Sequence, residues 1–229
     1  MRVIAPMTSL GSIETLFPSS VSFAAVKTSS APMILPLAEE EKLCADWRSE
    51  ARRELFRAGR TAVHEALQGL GLDRGTPVLR GPQGEPVWPE GAAVSISNTT
   101  GMAVAAACCI PQFRSIGVDI ELRRRPVRLE LKHHLCLPSE FERLHSCGMS
   151  LLLLFSAKEA LYKALYPICR RLIGFKEMEL RWDAGDEAWR VVPQVEIPLE
   201  LNWDRLRVRW REMDEYIVSG IAITADASG

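Results

Sequence analysis

The chain has 229 residues with 28 Lys and Arg against 29 Asp and Glu, so its bulk charge gives no argument for a nucleic-acid partner. Apolar residues make up 47% and charged residues 25%, ordinary values for a soluble globular enzyme, and the length suffices to bury a core without disulfides or a structural metal. The six cysteines (Cys44, Cys108, Cys109, Cys136, Cys147 and Cys169) show no C-x-x-C spacing and read as reduced, mostly buried thiols. The first residues lack a charged-then-apolar signal pattern, and the greasy run Met149–Phe155 is far too short to span a bilayer. A cytoplasmic location is therefore expected.

In chain order, residues 1–36 carry Pro6, Pro18, Pro32 and Pro36 and read as irregular chain with one short strand near Val21–Val26. From Glu39 to Leu70 the apolar stripe Leu43, Trp47, Leu55, Ala58, Ala62 and Leu67 predicts a helix, with Glu39, Glu40 and Glu41 complementing its dipole and Gly59 as a place for a kink or break. The stretch 80–91 is loop by its glycine and proline content. Ala92–Ile96, Ala103–Cys109 and Ser115–Glu121 follow as short strands, and Glu140–Leu144 as a helix. Ser150–Tyr166 predicts a strong helix stopped by Pro167. The remainder alternates as strands at Met178–Trp182, Trp189–Val192, Leu206–Trp210 and Tyr216–Thr224. This order implies an α+β protein with two similar-sized halves.

Three segments carry chemistry. In 115–125, Asp119 and Glu121 are two apart on a strand and project from one face. A divalent cation is a common reason to tolerate paired carboxylates, and two solvated acids at a strand end are the plain alternative. In 155–167, Lys158, Glu159, Tyr162 and Lys163 lie on neighbouring turns; alone, Glu159 and Lys163 would be an ordinary i,i+4 surface pair. The first helix carries Arg48, Arg52, Arg53, Arg57 and Arg60; Arg52 and Arg60, about two turns apart, could share a face, and arginine forks suit phosphate, with a solvated basic face as the plain alternative. Walker, G-x-S-x-G, H-E-x-x-H and G-x-G-x-x-G motifs are absent, the four histidines lack zinc spacing, and Arg123–Arg128 lacks the aromatic interleaving of a nucleic-acid platform.

In order, the segments RRELFRAGR (52–60), LRGPQGEPVWPEG (79–91), SISNTTG (95–101), GVDIE (117–121), FSAKEALYKALYP (155–167) and Gly174–Phe175 resemble the Sfp superfamily of 4′-phosphopantetheinyl transferases, specifically the enterobactin-synthesis type. The resemblance begins near Leu35. It implies two pseudo-symmetric α/β halves, 1–116 and 117–229, with the active site at their junction. It implies that Asp119, Glu121 and Glu159 hold Mg²⁺, that Lys158 and Lys163 meet the phosphates and leaving group, and that Arg52, Arg60 and Arg80 hold the nucleotide end of coenzyme A. Magnesium would bridge the three acids and the pyrophosphate, and Glu159 would take the proton from the carrier serine. The implied partners are coenzyme A and apo acyl or peptidyl carrier domains of fatty acid, polyketide, nonribosomal peptide or siderophore synthesis, with no nucleic acid or membrane partner and a monomeric enzyme. Arg123, Arg124, Arg125 and Arg128 are candidates to steer an acidic carrier. One position departs from the family pattern: Asn98 stands where a phosphate-contacting histidine is usual, and it cannot supply positive charge. That departure keeps two alternatives in view, a coenzyme A or carrier-binding module without transfer, and a magnesium-dependent hydrolase of the coenzyme A pyrophosphate.

Overall fold

The computed structural model describes residues 13–28, 37–127 and 129–227. Of the proline-rich first segment, residues 1–12 and 29–36 lie outside the described residues, as does Arg128 of the basic run.

Three antiparallel strands, β1 (Val21–Lys27), β2 (Ala92–Thr99) and β3 (Met102–Cys109), form one sheet in the order β1-β3-β2. Five more form a second antiparallel sheet, β4 (Phe113–Leu122), β5 (Met178–Asp183), β6 (Ala188–Pro193), β7 (Arg207–Met213) and β8 (Tyr216–Thr224), in the order β4-β8-β7-β6-β5. One long helix packs on each: α2 (Glu50–Gly69) on the first sheet and α5 (Leu151–Cys169) on β4 and β8 of the second. The α+β architecture expected from the sequence is thus the observed one.

β3 explains itself by composition. Ala103, Ala105 and Ala107 face the α2 layer, while Met102, Val104, Ala106 and Cys108 face β4 of the other sheet. A strand covered on both sides reads as a continuous apolar run, and small residues let its neighbours approach. β4 divides its side chains the same way. Ile116, Val118 and Ile120 enter the core between the sheets. Ser115, Gly117, Asp119 and Glu121 turn to the other side, where Ser115 Oγ donates to the Ala164 carbonyl of α5.

The predicted helix over 39–70 is two helices. A single turn, α1 (Ala38–Glu41), precedes α2, whose start is set by Ser49, its Oγ accepting from Arg52 N at 3.3 Å. A capped serine outweighs the weak apolar stripe across Leu43–Trp47 as a start signal. Glu40 therefore does not serve the dipole of α2; it is fully buried. Gly59 neither kinks nor ends α2; it brings the helix close to β2, where a Cβ would sit 3.1 Å from Ile96 Cγ2. Pro167 does not stop α5, which runs on to Cys169 and ends at Arg170 with φ 53°. A proline in the last turn forfeits one i→i−4 bond, and Arg170 N still donates to Tyr166 O at 2.8 Å. Two further helices, α3 (Leu129–Leu135) and α4 (Pro138–Cys147), lie between β4 and α5. All six cysteines are free, with Cys147 exposed. Among the described residues no helix is long and apolar enough to cross a membrane.

Two buried carboxylates make acid stability a testable property. Burial would push Glu40 and Glu179 up, but hydrogen bonds from His64 and backbone N–H groups to Glu40, and from Arg181, Ser139 and Arg143 to Glu179, hold both below the ordinary 4.5. A depressed carboxyl contributes its full stability above the unfolded-state value and loses it as pH falls through the folded one. The contribution of these two groups to the melting temperature should accordingly be constant above about pH 5 and be lost below about 4.5 in a thermal-shift series. A Glu40→Gln variant should show a shallower fall.

Candidate active site

The site is built where β2, β4 and α5 meet. Gly117 lets α5 lie directly on β4: a Cβ there would overlap the Ala160 carbonyl oxygen and stand 2.8 Å from Ala164 N. That contact sets α5 so that Lys163 Nζ donates to Asp119 Oδ1 at 2.8 Å, to Ser97 Oγ at 2.8 Å and to Val118 O at 3.2 Å. Ser97 Oγ in turn donates to Asp119 Oδ1 at 2.9 Å, so β2 is tied into the same cluster. Asp119 is 4% exposed, and its second oxygen, Oδ2, is buried with no partner.

Glu121, 5% exposed, accepts from Arg125 Nη1 at 2.7 Å on both oxygens. Burial, and then the charge of Asp119, pushes its carboxyl above the ordinary range against the pull of Arg125. Glu159 on α5 is also pushed up, first by burial and then by Asp119 and Glu121, with Lys163 opposing. The three predicted carboxylates thus share one electrostatic neighbourhood. Among the described residues no three His, Cys, Asp or Glu side chains stand close enough together to grip a metal ion as they are. Their chemistry nonetheless fits a hard dication: all donors are carboxylate oxygens, one is buried and unpartnered, and a positive charge would relieve their mutual repulsion.

Lys158 is not brought to this cluster. Its ammonium is 3% exposed and donates to Glu140 Oε2 (2.8 Å), Leu135 O (3.0 Å) and Phe175 O (2.7 Å), which engages all three of its protons. One residue from Glu159 on a helix is a turn of about 100°, so the two neighbours face different surroundings. Lys158 ties α5 to α3, α4 and the segment before β5.

The predicted phosphate residues converge elsewhere. A cleft of about 290 Å³ is lined by Trp47, Arg52, Phe56, Arg60, Arg80 and Asn98, among others. Arg52 stacks over Trp47 with its guanidinium carbon 4.3 Å from the ring centre, and Arg60 over Phe56 at 4.5 Å. Arg60 is 5% exposed, and burial lowers its guanidinium below the usual value. Arg80 lies against Gly84, where φ is +94° and a Cβ would come within 2.9 Å of Nη2. A second cavity of about 180 Å³ shares Gly84, Pro86 and Ile96 with the first and is lined further by Trp88, Tyr162, Lys163 and Tyr166. The arginine cleft thus leads, through shared walls, to the lysine on Asp119.

Several contributors were not singled out by sequence reasoning. Ser97 sits in a quoted motif but its inward hydroxyl could be found only from the strand's period. Phe56, four residues before Arg60, was a legible i,i+4 signal. Arg125 was read as a carrier-facing charge. In the structure Arg125 is on Glu121 and Arg123 Nη1 is 2.9 Å from Glu212 Oε2, so both are engaged within the chain.

Comparison with known proteins covers both sheets. The 4′-phosphopantetheinyl transferase N-terminal domain family matches residues 39–108, and the 4′-phosphopantetheinyl transferase superfamily matches 115–218. The chain is 32% identical over 177 residues to 4′-phosphopantetheinyl transferase Npt of Nocardia iowensis, covering 76% of this chain and 78% of that protein. It is 32% identical over 166 residues to 4′-phosphopantetheinyl transferase PptT of Mycobacterium tuberculosis, covering 70% and 71%. Enterobactin synthase component D of Salmonella typhi is 34% identical over 112 residues, 47% of this chain and 45% of that protein. With matches running from the arginine helix through the carboxylate strand and α5, the chain belongs to the 4′-phosphopantetheinyl transferase superfamily, a family of transferases acting on coenzyme A and carrier-protein domains.

Proposed function

We propose that this protein transfers 4′-phosphopantetheine from coenzyme A to a serine of an apo acyl or peptidyl carrier protein, with magnesium, and releases 3′,5′-ADP. The observation that carries the reading is the continuity of the arginine cleft with the Lys163–Asp119 cluster through shared walls. In this reading residues 1–116 contribute the nucleotide cleft and residues 117–229 the reacting centre. Every residue invoked comes from one chain, so a monomer suffices.

Arg52, Arg60 and Arg80 would bind the nucleotide phosphates as bidentate forks. The adjoining apolar cavity beside Tyr162 and Tyr166 suits the pantetheine arm. Asp119, Glu121 and Glu159 would hold magnesium, which when bound supplies charge screening for the pyrophosphate. Glu159, with its carboxyl pushed up by burial, is matched to accept the serine proton. The serine oxygen then bonds to the phosphorus bearing pantetheine as that phosphorus releases the oxygen of the departing nucleotide. Lys163, 25% exposed and fixed on Asp119, would neutralise the leaving phosphate.

Intact-protein mass spectrometry of an apo carrier incubated with enzyme, coenzyme A and magnesium should show the gain of one phosphopantetheine, abolished by EDTA. Release of 3′,5′-ADP without carrier would indicate a hydrolase instead, and no release under any condition a binding module.

Asn98 is exposed at the rim of the arginine cleft. Asn98→His should lower KM for coenzyme A by roughly three- to tenfold at pH 6, where imidazolium adds a charge-assisted hydrogen bond, and less at pH 8. Equal KM values for the two proteins at both pH values would remove Asn98 from the phosphate contacts.

A further inference from the structure

Beneath the arginine cleft lies a carboxylate that the proposed chemistry does not use. Glu40 is 0% exposed. Its Oε1 accepts from Val78 N at 2.8 Å and its Oε2 from Leu37 N at 3.0 Å, while His64 Nε2 bridges both oxygens at 2.9 and 3.0 Å. Arg60 Nε stands 3.9 Å from Oε1, too far for a hydrogen bond, and is buried with no partner. One carboxylate thus touches three segments. These are the turn before α1, the helix that carries Arg60, and the backbone two residues ahead of Arg80.

This arrangement has a physical consequence. Burying the Arg60 guanidinium costs solvation and Arg80 repels it further, while Glu40, ahead of Cys44, is the group that offsets that cost. An ion-paired arginine with direct hydrogen bonds to a carboxylate would be a poor phosphate ligand, because the carboxylate would have to be displaced. At 3.9 Å Glu40 stabilises the guanidinium by charge without occupying its Nε donor. His64 holds the carboxylate at that stand-off, since Nε2, facing two carboxylate oxygens, must be the donor. His64 Nδ1 is left buried and unpartnered.

We propose that Glu40, locked by His64, is a positioning residue for the coenzyme A site: its charge, held at a stand-off, keeps the buried Arg60 guanidinium in the cleft. This rests on the nucleotide reading of the cleft given above. Glu40 touches neither substrate nor reacting atoms, so its effect must pass through Arg60.

The test is a double-mutant cycle read by calorimetric binding of 3′,5′-ADP and by steady-state kinetics. Arg60→Ala should weaken 3′,5′-ADP, and Glu40→Gln alone should weaken it by about tenfold, the equivalent of one charge-assisted hydrogen bond. KM for coenzyme A should rise in step, while KM for the carrier and kcat at saturating coenzyme A stay within about twofold. In the Arg60→Ala background Glu40→Gln should add little. A general structural role would instead raise both KM values and persist in that background, which would overturn the proposal. Should Glu40→Gln lack a cooperative melt, Glu40→Asp keeps the charge but withdraws it by one methylene, and the same split between the two KM values is expected. Unchanged 3′,5′-ADP affinity in whichever variant folds would also overturn it. If Arg60→Ala itself leaves 3′,5′-ADP binding untouched, the nucleotide reading of the cleft fails rather than the positioning role alone.

Discussion

Glu159→Gln is expected to fold normally and to lose about 10²- to 10⁴-fold in kcat, the usual contribution of a positioned general base. The substitution is nearly isosteric and removes one of three carboxylates that repel each other in a desolvated cluster, so the fold should not suffer. Stability and activity should therefore separate, with an unchanged or higher melting temperature beside the loss of turnover. The pH dependence gives a second reading of the same group. Burial first, and then Asp119 and Glu121, hold the Glu159 carboxyl above 4.5, with Lys163 opposing. A base must be unprotonated, so wild-type kcat/KM should fall as pH drops through the Glu159 carboxyl, and the dication held beside it in the proposed reading should move that limb to lower pH. Residual activity in the glutamine variant should lack that acid limb. Turnover within a fewfold of wild type would remove Glu159 from the chemistry.

Gly117→Ala should be the most damaging small substitution in the molecule. The added Cβ would overlap the Ala160 carbonyl oxygen and crowd Ala164 N, which are backbone atoms of α5 that no rotamer change can clear. Either α5 lifts from β4 or β4 moves within a sheet whose other face, through Ile116, Val118 and Ile120, is locked into the core between the sheets. Overpacking against backbone should cost at least ~3 kcal/mol. For a chain of this size that is a fall of roughly 6–12 °C in melting temperature, measured by calorimetry. Because α5 carries both Glu159 and Lys163, the Lys163–Asp119 contact at 2.8 Å should open as well. Activity of the folded fraction should then drop far more than its stability at 25 °C would suggest. A variant with wild-type melting and turnover would show that α5 adjusts freely on β4.

In the proposed reading Asp119, whose Oδ2 is buried and unpartnered, and Glu121 would hold a dication, which would compete with Arg125 for the Glu121 carboxylate. The exposed guanidinium, 53% accessible on its side chain, loses little by returning to water.

Much of this molecule was legible before any coordinates. The strands of the second sheet follow from period-two alternation, because one face of the sheet enters the apolar core that α5 shares. The same period put Asp119 and Glu121 on one face of β4, and helical spacing put Arg52 and Arg60 on one face of α2, where both line one cleft. The helix expected over Ser150–Tyr166 starts where α5 does, and the structure supplies the reason: Ser150 Oγ accepts from Leu153 N at 3.1 Å.

What the sequence left undecided depends on contacts far apart in the chain. Lys158 and Lys163 are indistinguishable in a local reading, yet one is buried on Glu140 and two carbonyls while the other, a quarter exposed, holds Asp119, Ser97 and the Val118 carbonyl. Glu40 looked like a helix-start acid and became the buried anchor of the arginine cleft, through His64 and Val78 at separations of 24 and 38 residues. Local spacing determines which residues share a face. Which face is dry, and which partner waits there, is decided only when the two sheets and their helices close on one another, since burial is what turns a weak surface charge pair into a strong and specific one.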